Sequence, residues 1–268
     1  MSRPYATCRP FLLCLLAVVL AVAVPASAQV PGDPAHVEPA KAGKPSHAFL
    51  DLRLSEDPQS NGENLTSFVV AAQRGTKLDP KAVAELCSDA RATAVDCPGK
   101  SKVGSGKVYI TASNAFTTVP LTVDLELFLA APKQSGDLRS VVVQFKEPQS
   151  GQQGILRGRL VPLASGPFGY ELRFDDMSAA SKPPEGSNVT IRVERLTSEV
   201  GAFRYERKKA YKTVKKNGVK KRVKYYRKIP HNLITNPKTC DGAWEYQIRI
   251  GYPGGRESVR DASTPCTG

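Results

Sequence analysis

The sequence has few of the residues on which catalysis and metal binding usually depend. Only three of its 268 residues are histidine and one is tryptophan, and no G-x-S-x-G or H-E-x-x-H motif occurs. Its 21 glycines and 21 prolines follow no three-residue period and no heptads run through the chain, which excludes collagen-like and coiled-coil proteins. From these absences we predict a protein that is not an enzyme, with no catalytic residues, no cofactor and no metal site.

Long apolar runs are also missing, except for one close to the N-terminus. Arg3 and Arg9 precede an apolar stretch at 11–24, which is followed by Ala26-Ser27-Ala28. The stretch has about fourteen residues, short of the roughly 20 that a membrane-spanning helix needs, and its flanks are typical of a signal peptide. We predict that residues 1–28 are cleaved from a secreted protein, extracellular or cell-wall associated, with no transmembrane segment after cleavage. The alternative is an uncleaved N-terminal anchor.

Six cysteines occur in the chain, and four of them follow the predicted signal peptide. In an oxidising compartment, four cysteines allow three disulfide pairings. We favour Cys87 with Cys97 and Cys240 with Cys266, because each pair closes a short local loop and requires no assumption about topology. A structural metal site is the alternative, but no C-x2-C or H-x3-H spacing supports it.

A proline-rich segment precedes a series of short strand patterns. Residues 29–46 contain four prolines and few aliphatic side chains, which predicts an extended, flexible tether. For residues 47–268 we predict a single all-β domain, an antiparallel β-sandwich of Ig-like or jelly-roll-like topology, because short strand-forming runs alternate with turn signals. The predicted strands lie at 47–54, 65–73, 106–112, 120–130, 138–145, 154–161, 170–175 and 188–196.

The clearest strand pattern lies at 121–129, where every second residue is Leu or Val, so one face of this strand is predicted to be buried. Trp244 also belongs to an alternating apolar pattern, which favours a place in the core over stacking on a ligand. One short helix is predicted. Asp79 as N-cap before Pro80 indicates about two turns, ending at Cys87.

Two blocks of the sequence carry a resemblance to known proteins. The first reads G-T-K-L-D-P-K-A-V at 75–83, after the strand that begins at 65, and continues through Cys87 to C-P-G-K-S-K-V-G-S-G at 97–106. The second reads N-P-K-T-C-D-G-A-W at 236–244 and closes with T-P-C at 264–266. In these blocks the chain resembles a family of uncharacterised secreted β-sandwich proteins of high-GC Gram-positive (actinobacterial) bacteria. The resemblance implies secretion and a disulfide-bearing sandwich, and it brings no activity, substrate or site residue.

The positive charge of the chain is concentrated in one segment. The formal net charge is +13, but residues 204–228 hold thirteen basic residues and a single acid, Glu206. Without this arm and the predicted signal peptide, the rest of the chain is close to neutral. The protein is therefore expected to be a near-neutral body with one cationic arm.

The centre of this arm predicts a β-hairpin. Asn217-Gly218 is flanked by strand-forming residues, and this dipeptide is typical of two-residue hairpin turns. The register it sets pairs Lys216 with Val219, Val214 with Lys221, Lys212 with Val223 and Tyr211 with Lys224. Charge then lies on both faces, so we expect an exposed ribbon that projects from the sandwich, with like charges opposed across it. Such a ribbon is marginal alone and is stabilised by an anion.

We predict that this hairpin, at 204–228, binds an anionic polymer of the cell envelope or lipid headgroups, without sequence-specific recognition of nucleic acid. Lys and Arg neutralise phosphates without reading a sequence, and tyrosines between them suit a partner that bears rings. The residues predicted to make the contacts lie near the tip: Lys215, Lys216, Lys220, Lys221, Arg222, Tyr211 and Tyr225. The alternative is a solvated face, or lysines that block edge pairing.

Two other functions stay open at this point. One is a carbohydrate-binding or carbohydrate-active β-sandwich protein. Asp124 and Glu126 share one face of a strand, as in some carbohydrate-active β-sandwich enzymes, although Thr122 stands where the pattern of one such family has Glu. The simpler interpretation is two acids on the wet face of a half-buried strand. The other function is a purely structural surface module, whose arm pairs with another subunit.

Overall fold

A computed structural model of the protein describes residues 34–148, 151–177, 188–216 and 218–268. The predicted signal peptide and residues 29–33 of the predicted tether lie outside these ranges. The described chain is built mainly of strands, with one short helix, α1, at Asp89–Thr93. The strands are β1 Ala35–Glu38, β2 Pro45–Arg53, β3 Ser67–Gln73, β4 Lys77–Leu78, β5 Lys102–Ser113, β6 Thr118–Ala130, β7 Arg139–Lys146, β8 Gln153–Pro162, β9 Phe168–Phe174, β10 Thr190–Val200, β11 Phe203–Lys216, β12 Val219–Asn232, β13 Ile234–Thr235, β14 Ala243–Gly251 and β15 Glu257–Pro265.

Each strand predicted from the sequence is present, and the strands pair antiparallel. The alternation at 121–129 becomes part of β6. There Val123, Leu125 and Leu127 are buried, whereas Asp124 and Glu126 between them are exposed. Because one face of this part of β6 is buried and the other meets water, the alternation of apolar and polar residues is sufficient to predict which side chains point into the core. The predicted all-β, antiparallel, sandwich-like fold with one short helix is confirmed.

One continuous sheet carries the core. Its strand order is β15-β14-β3-β9-β8-β7-β6-β5-β10-β2-β13-β4, with β1 beside β2. Strands β5 to β9 form a meander in which neighbours in sequence pair with each other. The sheet is extended on one side by β10 and β2, and on the other by β3, β14 and β15. This strand order could not be derived from the sequence.

β1, which forms an edge of the sheet beside β2, meets the edge strand on the opposite side, β15. β1 pairs with β2 on one side, and on the other its Val37 N–H donates to the Thr264 hydroxyl of β15 at 3.2 Å. Just beyond these strands, the Thr267 N–H donates to the Ala40 carbonyl at 2.9 Å. Opposite parts of the single sheet therefore face each other across a common apolar core.

The segment predicted to be a flexible tether is part of the sheet from residue 35 onwards. Ala35 and Val37 of β1 are buried, at 5% and 3% exposure. Farther along, the Asn236 side chain donates to the carbonyls of Pro39 and Lys41, at 2.8 and 3.1 Å. The tether prediction is therefore wrong over residues 35–46, because pairing with β2 and burial against β15 outweigh the flexibility that the proline content suggested.

The predicted two-turn helix that ends at Cys87 is wrong beyond its first turn. Asp79 caps it as expected, accepting from the Lys81 N–H at 2.9 Å, but only a 3-10 turn follows, at Pro80–Ala82. The Cys87 N–H then donates to the Leu129 carbonyl of β6 at 2.8 Å instead of to a helical partner. The helix α1 lies further on, because this tertiary hydrogen bond draws the chain against the sheet first.

Both predicted disulfides are confirmed. Cys87 and Cys97 have Cα atoms 5.1 Å apart, and Cys240 and Cys266 have Cα atoms 5.8 Å apart. The first bond links the residues on either side of α1, and both cysteines pack with Phe128 on the face of β6 that points away from the main core. The second joins the loop before β14 to the end of β15. Each bond therefore fastens a segment that strand pairing holds only weakly.

Candidate functional site

The strands β11 and β12 form a two-stranded antiparallel sheet, separate from the main one. Their register runs from Phe203 opposite Asn232 to Lys216 opposite Val219 and includes every cross-strand pair predicted from the sequence. Gly218 has a φ of +79°, which glycine adopts without strain and which a two-residue hairpin turn requires. Asn217 lies outside the described residues. The predicted hairpin and its register are confirmed.

Strand geometry divides the side chains of the hairpin between two faces, since cross-strand partners share a face. One face, which we call the tyrosine face, has three tyrosines, seven cations and no acid. Its members are Tyr205, Arg207, Lys209, Tyr211, Lys215, Lys220, Arg222, Lys224, Tyr226 and Lys228. The opposite face includes Arg204, Glu206, Lys208, Lys212, Lys221, Tyr225 and Arg227. The tyrosine face is therefore the more uniformly cationic side.

The predicted contact residues are divided between these two faces. Those on the tyrosine face are Lys215, Lys220, Arg222 and Tyr211. Those on the opposite face are Lys221 and Tyr225. The side chain of Lys216 lies outside the described part of the chain. The cations of the tyrosine face that sequence reasoning missed are Arg207, Lys209, Lys224 and Lys228. The period of two, applied to the predicted register, is the signal that identifies them.

The cations of the tyrosine face are exposed, and none of them forms an ion pair with a carboxylate of the described residues. The one acid of the hairpin, Glu206, lies on the opposite face and is engaged by His231. Like charges also oppose each other across the strands. The pairs are Lys215 with Lys220, Lys208 with Arg227, and Arg207 with Lys228. A bound anion would relieve this repulsion, which otherwise destabilises the pairing.

Each hairpin tyrosine has a cation over one side of its ring. The Arg222 guanidinium lies 4.4 Å from the ring centroid of Tyr211, and the Lys224 ammonium lies 5.3 Å from that of Tyr226. Attraction between a cation and the ring quadrupole holds these long side chains over the hairpin surface. The tyrosines therefore position the charges. Their stacking on rings of a ligand stays a prediction.

The base of the hairpin is held by a buried histidine between two carboxylates. His231 Nδ1 lies 2.6 Å from Asp79 Oδ2, and Nε2 lies 3.0 Å from Glu206 Oε2. The hydrogen bonds to Asp79 and then to Glu206 raise the pKa of His231. The same contact lowers the pKa of Glu206. Burial opposes ionisation of Asp79, but hydrogen bonds from His231 and the Lys81 N–H lower its pKa overall. His231 thus joins both hairpin strands to the turn at Asp79.

Replacing His231 by glutamine is expected to remove a pH-dependent part of the stability. Because the pKa of folded His231 is raised, its contribution is complete below its ordinary pKa of about 6.5 and is lost as the pH rises through the raised value. The carboxylate contributions are lost only in acid, as the pH falls through the lowered pKa values of Asp79 and Glu206. The difference in unfolding temperature between parent and variant should therefore shrink as the pH rises above about 6.5.

The matched control for this experiment is His47→Gln. His47 Nδ1 lies 2.6 Å from Glu199 Oε1, but both side chains are about half exposed, at 49% and 51%. Solvent screens such a pair, so its loss should change the unfolding temperature less. A difference between parent and His231→Gln that stays constant over this pH range would contradict the assignment.

Asp124 and Glu126 lie on the outer side of β6, and each pairs with a lysine of β5. Lys107 Nζ lies 3.2 Å from Asp124 Oδ1, and Lys102 Nζ lies 2.5 Å from Glu126 Oε1. The two acidic side chains are 53% and 51% exposed. Their pairing favours the interpretation as a solvated sheet surface over that of two carboxylates aimed at a sugar.

The described residues contain no metal site and no membrane-spanning helix that would indicate a function. Within the described ranges, no group of three or more His, Cys, Asp or Glu residues is arranged to hold a metal ion, and no helix there is long and apolar enough to cross a membrane. Comparisons with protein-family models, curated proteins and solved structures find no match. The resemblance to the actinobacterial family therefore stays a prediction.

Proposed function

We propose that this protein is a secreted, non-enzymatic β-sandwich protein that binds an anionic polymer of the cell envelope through the tyrosine face of its hairpin. The observation that supports this function is the set of seven exposed cations on that face, which no carboxylate of the described residues neutralises. Charge concentrated in this way on a near-neutral protein attracts polyanions and accelerates their association.

The spacing of the cations suits a long chain of phosphates better than one small anion. Each hairpin strand has 14 residues, which corresponds to about 45 Å at roughly 3.3 Å per residue. Neighbouring positions on one face recur about every 7 Å along a strand. A row of this length contacts a polyanion at many points and gains affinity by releasing counterions. Binding should therefore weaken steeply as salt is added.

Two quadruple variants that remove equal charge from opposite faces test this proposal. The tyrosine-face variant carries Lys209→Gln, Lys215→Gln, Lys220→Gln and Arg222→Gln. The opposite-face variant carries Lys208→Gln, Lys212→Gln, Lys221→Gln and Arg227→Gln. Binding of a purified polyol-phosphate wall polymer is measured at several salt concentrations. We expect the tyrosine-face variant to bind at least about tenfold more weakly than the opposite-face variant, with a salt slope about four smaller than that of the parent protein.

The other possible results of this experiment also test whether the tyrosine face binds the polymer. Both variants should keep the circular dichroism spectrum of the parent, since every substituted side chain is exposed. Equal weakening of the two variants would show that net charge, rather than this face, governs binding. No binding of the polymer by the parent at about 50 mM salt would contradict the proposal, because electrostatic contacts are strong there. Binding to vesicles of anionic phospholipid alone would assign the face to a membrane surface.

A further inference from the structure

An apolar cavity of about 660 Å³ lies inside the closed sheet. Its wall is formed by inward-facing side chains from the strands of the main sheet. Representative members are Leu50, Val70, Val108, Leu125, Val143 and Leu172. The volume falls within the range of roughly 300 to 1,000 Å³ that is typical of ligand sites. A far smaller apolar cavity, of about 150 Å³, already suffices to bind benzene.

The cavity follows from the construction of the sheet. A closed sheet of many strands has a wider interior than its side chains can fill. Small residues, among them Ala72 and Ala112, occupy inward positions here. Val70 and Leu172 point inward and yet are only partly buried, whereas Trp244 on β14 is 1% exposed and closely packed. The interior of the sheet therefore contains both the open cavity and, next to it, a closely packed layer that includes Trp244.

The side chains that line the cavity favour a hydrocarbon ligand. The lining consists mainly of aliphatic and aromatic side chains, and none of its described residues is Lys or Arg. Its polar members are His36, Glu147, Gln152 and Ser198. An anionic group finds no basic Lys or Arg partner on this wall, and burial of an unpaired charge is costly. An alkyl chain needs no polar partner and gains free energy by leaving water. We propose that the cavity binds the acyl chain of a lipid, with the headgroup outside.

The basic hairpin starts from the wall of this cavity. Val200 at the end of β10, and Leu233 and Ile234 directly after β12, all belong to the lining. The Leu233 N–H donates to the Ala202 carbonyl at 2.8 Å and closes the base of the hairpin. An anionic headgroup on this side would meet the cationic strands. Acyl-chain binding does not require that contact, so this inference stands independently of the proposed function.

The single tryptophan allows a test in the unmodified protein. Trp244 lies two residues from Tyr246, which lines the cavity, and residues two apart on a strand are separated by about 7 Å. Bromine atoms quench tryptophan fluorescence only at short range. We expect stearic acid brominated at mid-chain to quench Trp244 saturably, and unbrominated stearic acid to bind without quenching. Native mass spectrometry should show one acid per protein.

A variant in which large side chains fill the cavity can be compared with one that carries the same side chain on the outer face of the sheet. Ala72→Phe with Ala112→Phe places two large side chains at half-buried lining positions. Thr111→Phe adds the same side chain at the outward-facing neighbour on β5. We expect the double variant to bind stearic acid at least about tenfold more weakly. Thr111→Phe and the tyrosine-face variant should bind it like the parent protein, which separates this test from that of the hairpin.

Four results would overturn or refine the proposal. A parent protein that forms no one-to-one complex with either stearic acid or phosphatidylglycerol overturns it. So does a complex with the brominated acid that leaves Trp244 unquenched, or equal binding by the double variant. If the double variant does not fold, the quenching comparison in the parent decides alone. A complex with phosphatidylglycerol but not with stearic acid identifies the bound chain as that of a phospholipid.

Discussion

Replacing Cys240 and Cys266 by alanine is expected to lower the free energy of unfolding by about 3 to 4 kcal/mol. The bond joins residues 26 positions apart, and the entropy that a cross-link removes from the unfolded chain grows with this separation. In the folded protein the bond also holds the end of β15 beside the contact between Thr267 and Ala40. Loss of the disulfide therefore weakens the contact between the segments that follow β1 and β15.

Urea unfolding of the oxidised proteins measures this effect. The control is Cys87→Ala with Cys97→Ala, whose separation of 10 residues predicts a smaller loss, about 2 to 3 kcal/mol. Hydrogen exchange should accelerate at the Ala42 and Thr267 N–H groups in the first variant and not in the control, because those donors join the segment after β1 to the segment after β15. A larger loss of stability in the control would contradict this account.

Replacing Asp57 by alanine is expected to cost about 3 kcal/mol, the lower end of the range for breaking a buried ion pair. The Asp57 side chain is fully buried, whereas Arg260, whose Nη2 lies 2.9 Å from Asp57 Oδ2, keeps 25% of its side chain exposed. Burial opposes ionisation of Asp57, but the hydrogen bond from the Gln59 N–H and the charge of the nearby Arg260 guanidinium lower its pKa overall. Without Asp57, Arg260 loses the partner that ties β15 to the loop after β2.

The matched variant is Asp51→Ala, which breaks a more exposed pair. Asp51 Oδ1 lies 2.6 Å from Arg195 Nε, and the two side chains are 44% and 40% exposed. Its loss should cost no more than about 1 kcal/mol. The stabilisation by Asp57 is present above its ordinary pKa and is lost as the pH falls through the lowered value. The difference between parent and Asp57→Ala should therefore close in acid, and equal costs for the two variants would contradict the assignment.

The features that sequence reasoning predicts well depend on neighbours along the chain. The alternation at 121–129 predicts β6, because successive side chains of a strand point to opposite faces. The Asn217-Gly218 turn predicts the whole register of β11 and β12, since a two-residue turn decides which residues face each other. From that register the tyrosine face could have been listed in full. Choosing contact residues by their closeness to the tip placed Lys221 among them, although it points to the other side.

The features that sequence reasoning missed depend on partners far away in the chain. Ala35 and Val37 are buried because β2 and β15 come to cover them, which the local proline content does not indicate. His231 holds the base of the hairpin through Asp79, a residue 152 positions away. The cavity exists because many strands close around an interior wider than their side chains can fill. Local pattern was thus enough for most of the strands, the hairpin register and the cysteine pairs. Closure of the sheet, the cavity and the anchoring of the hairpin arose from contacts that form only when distant segments meet.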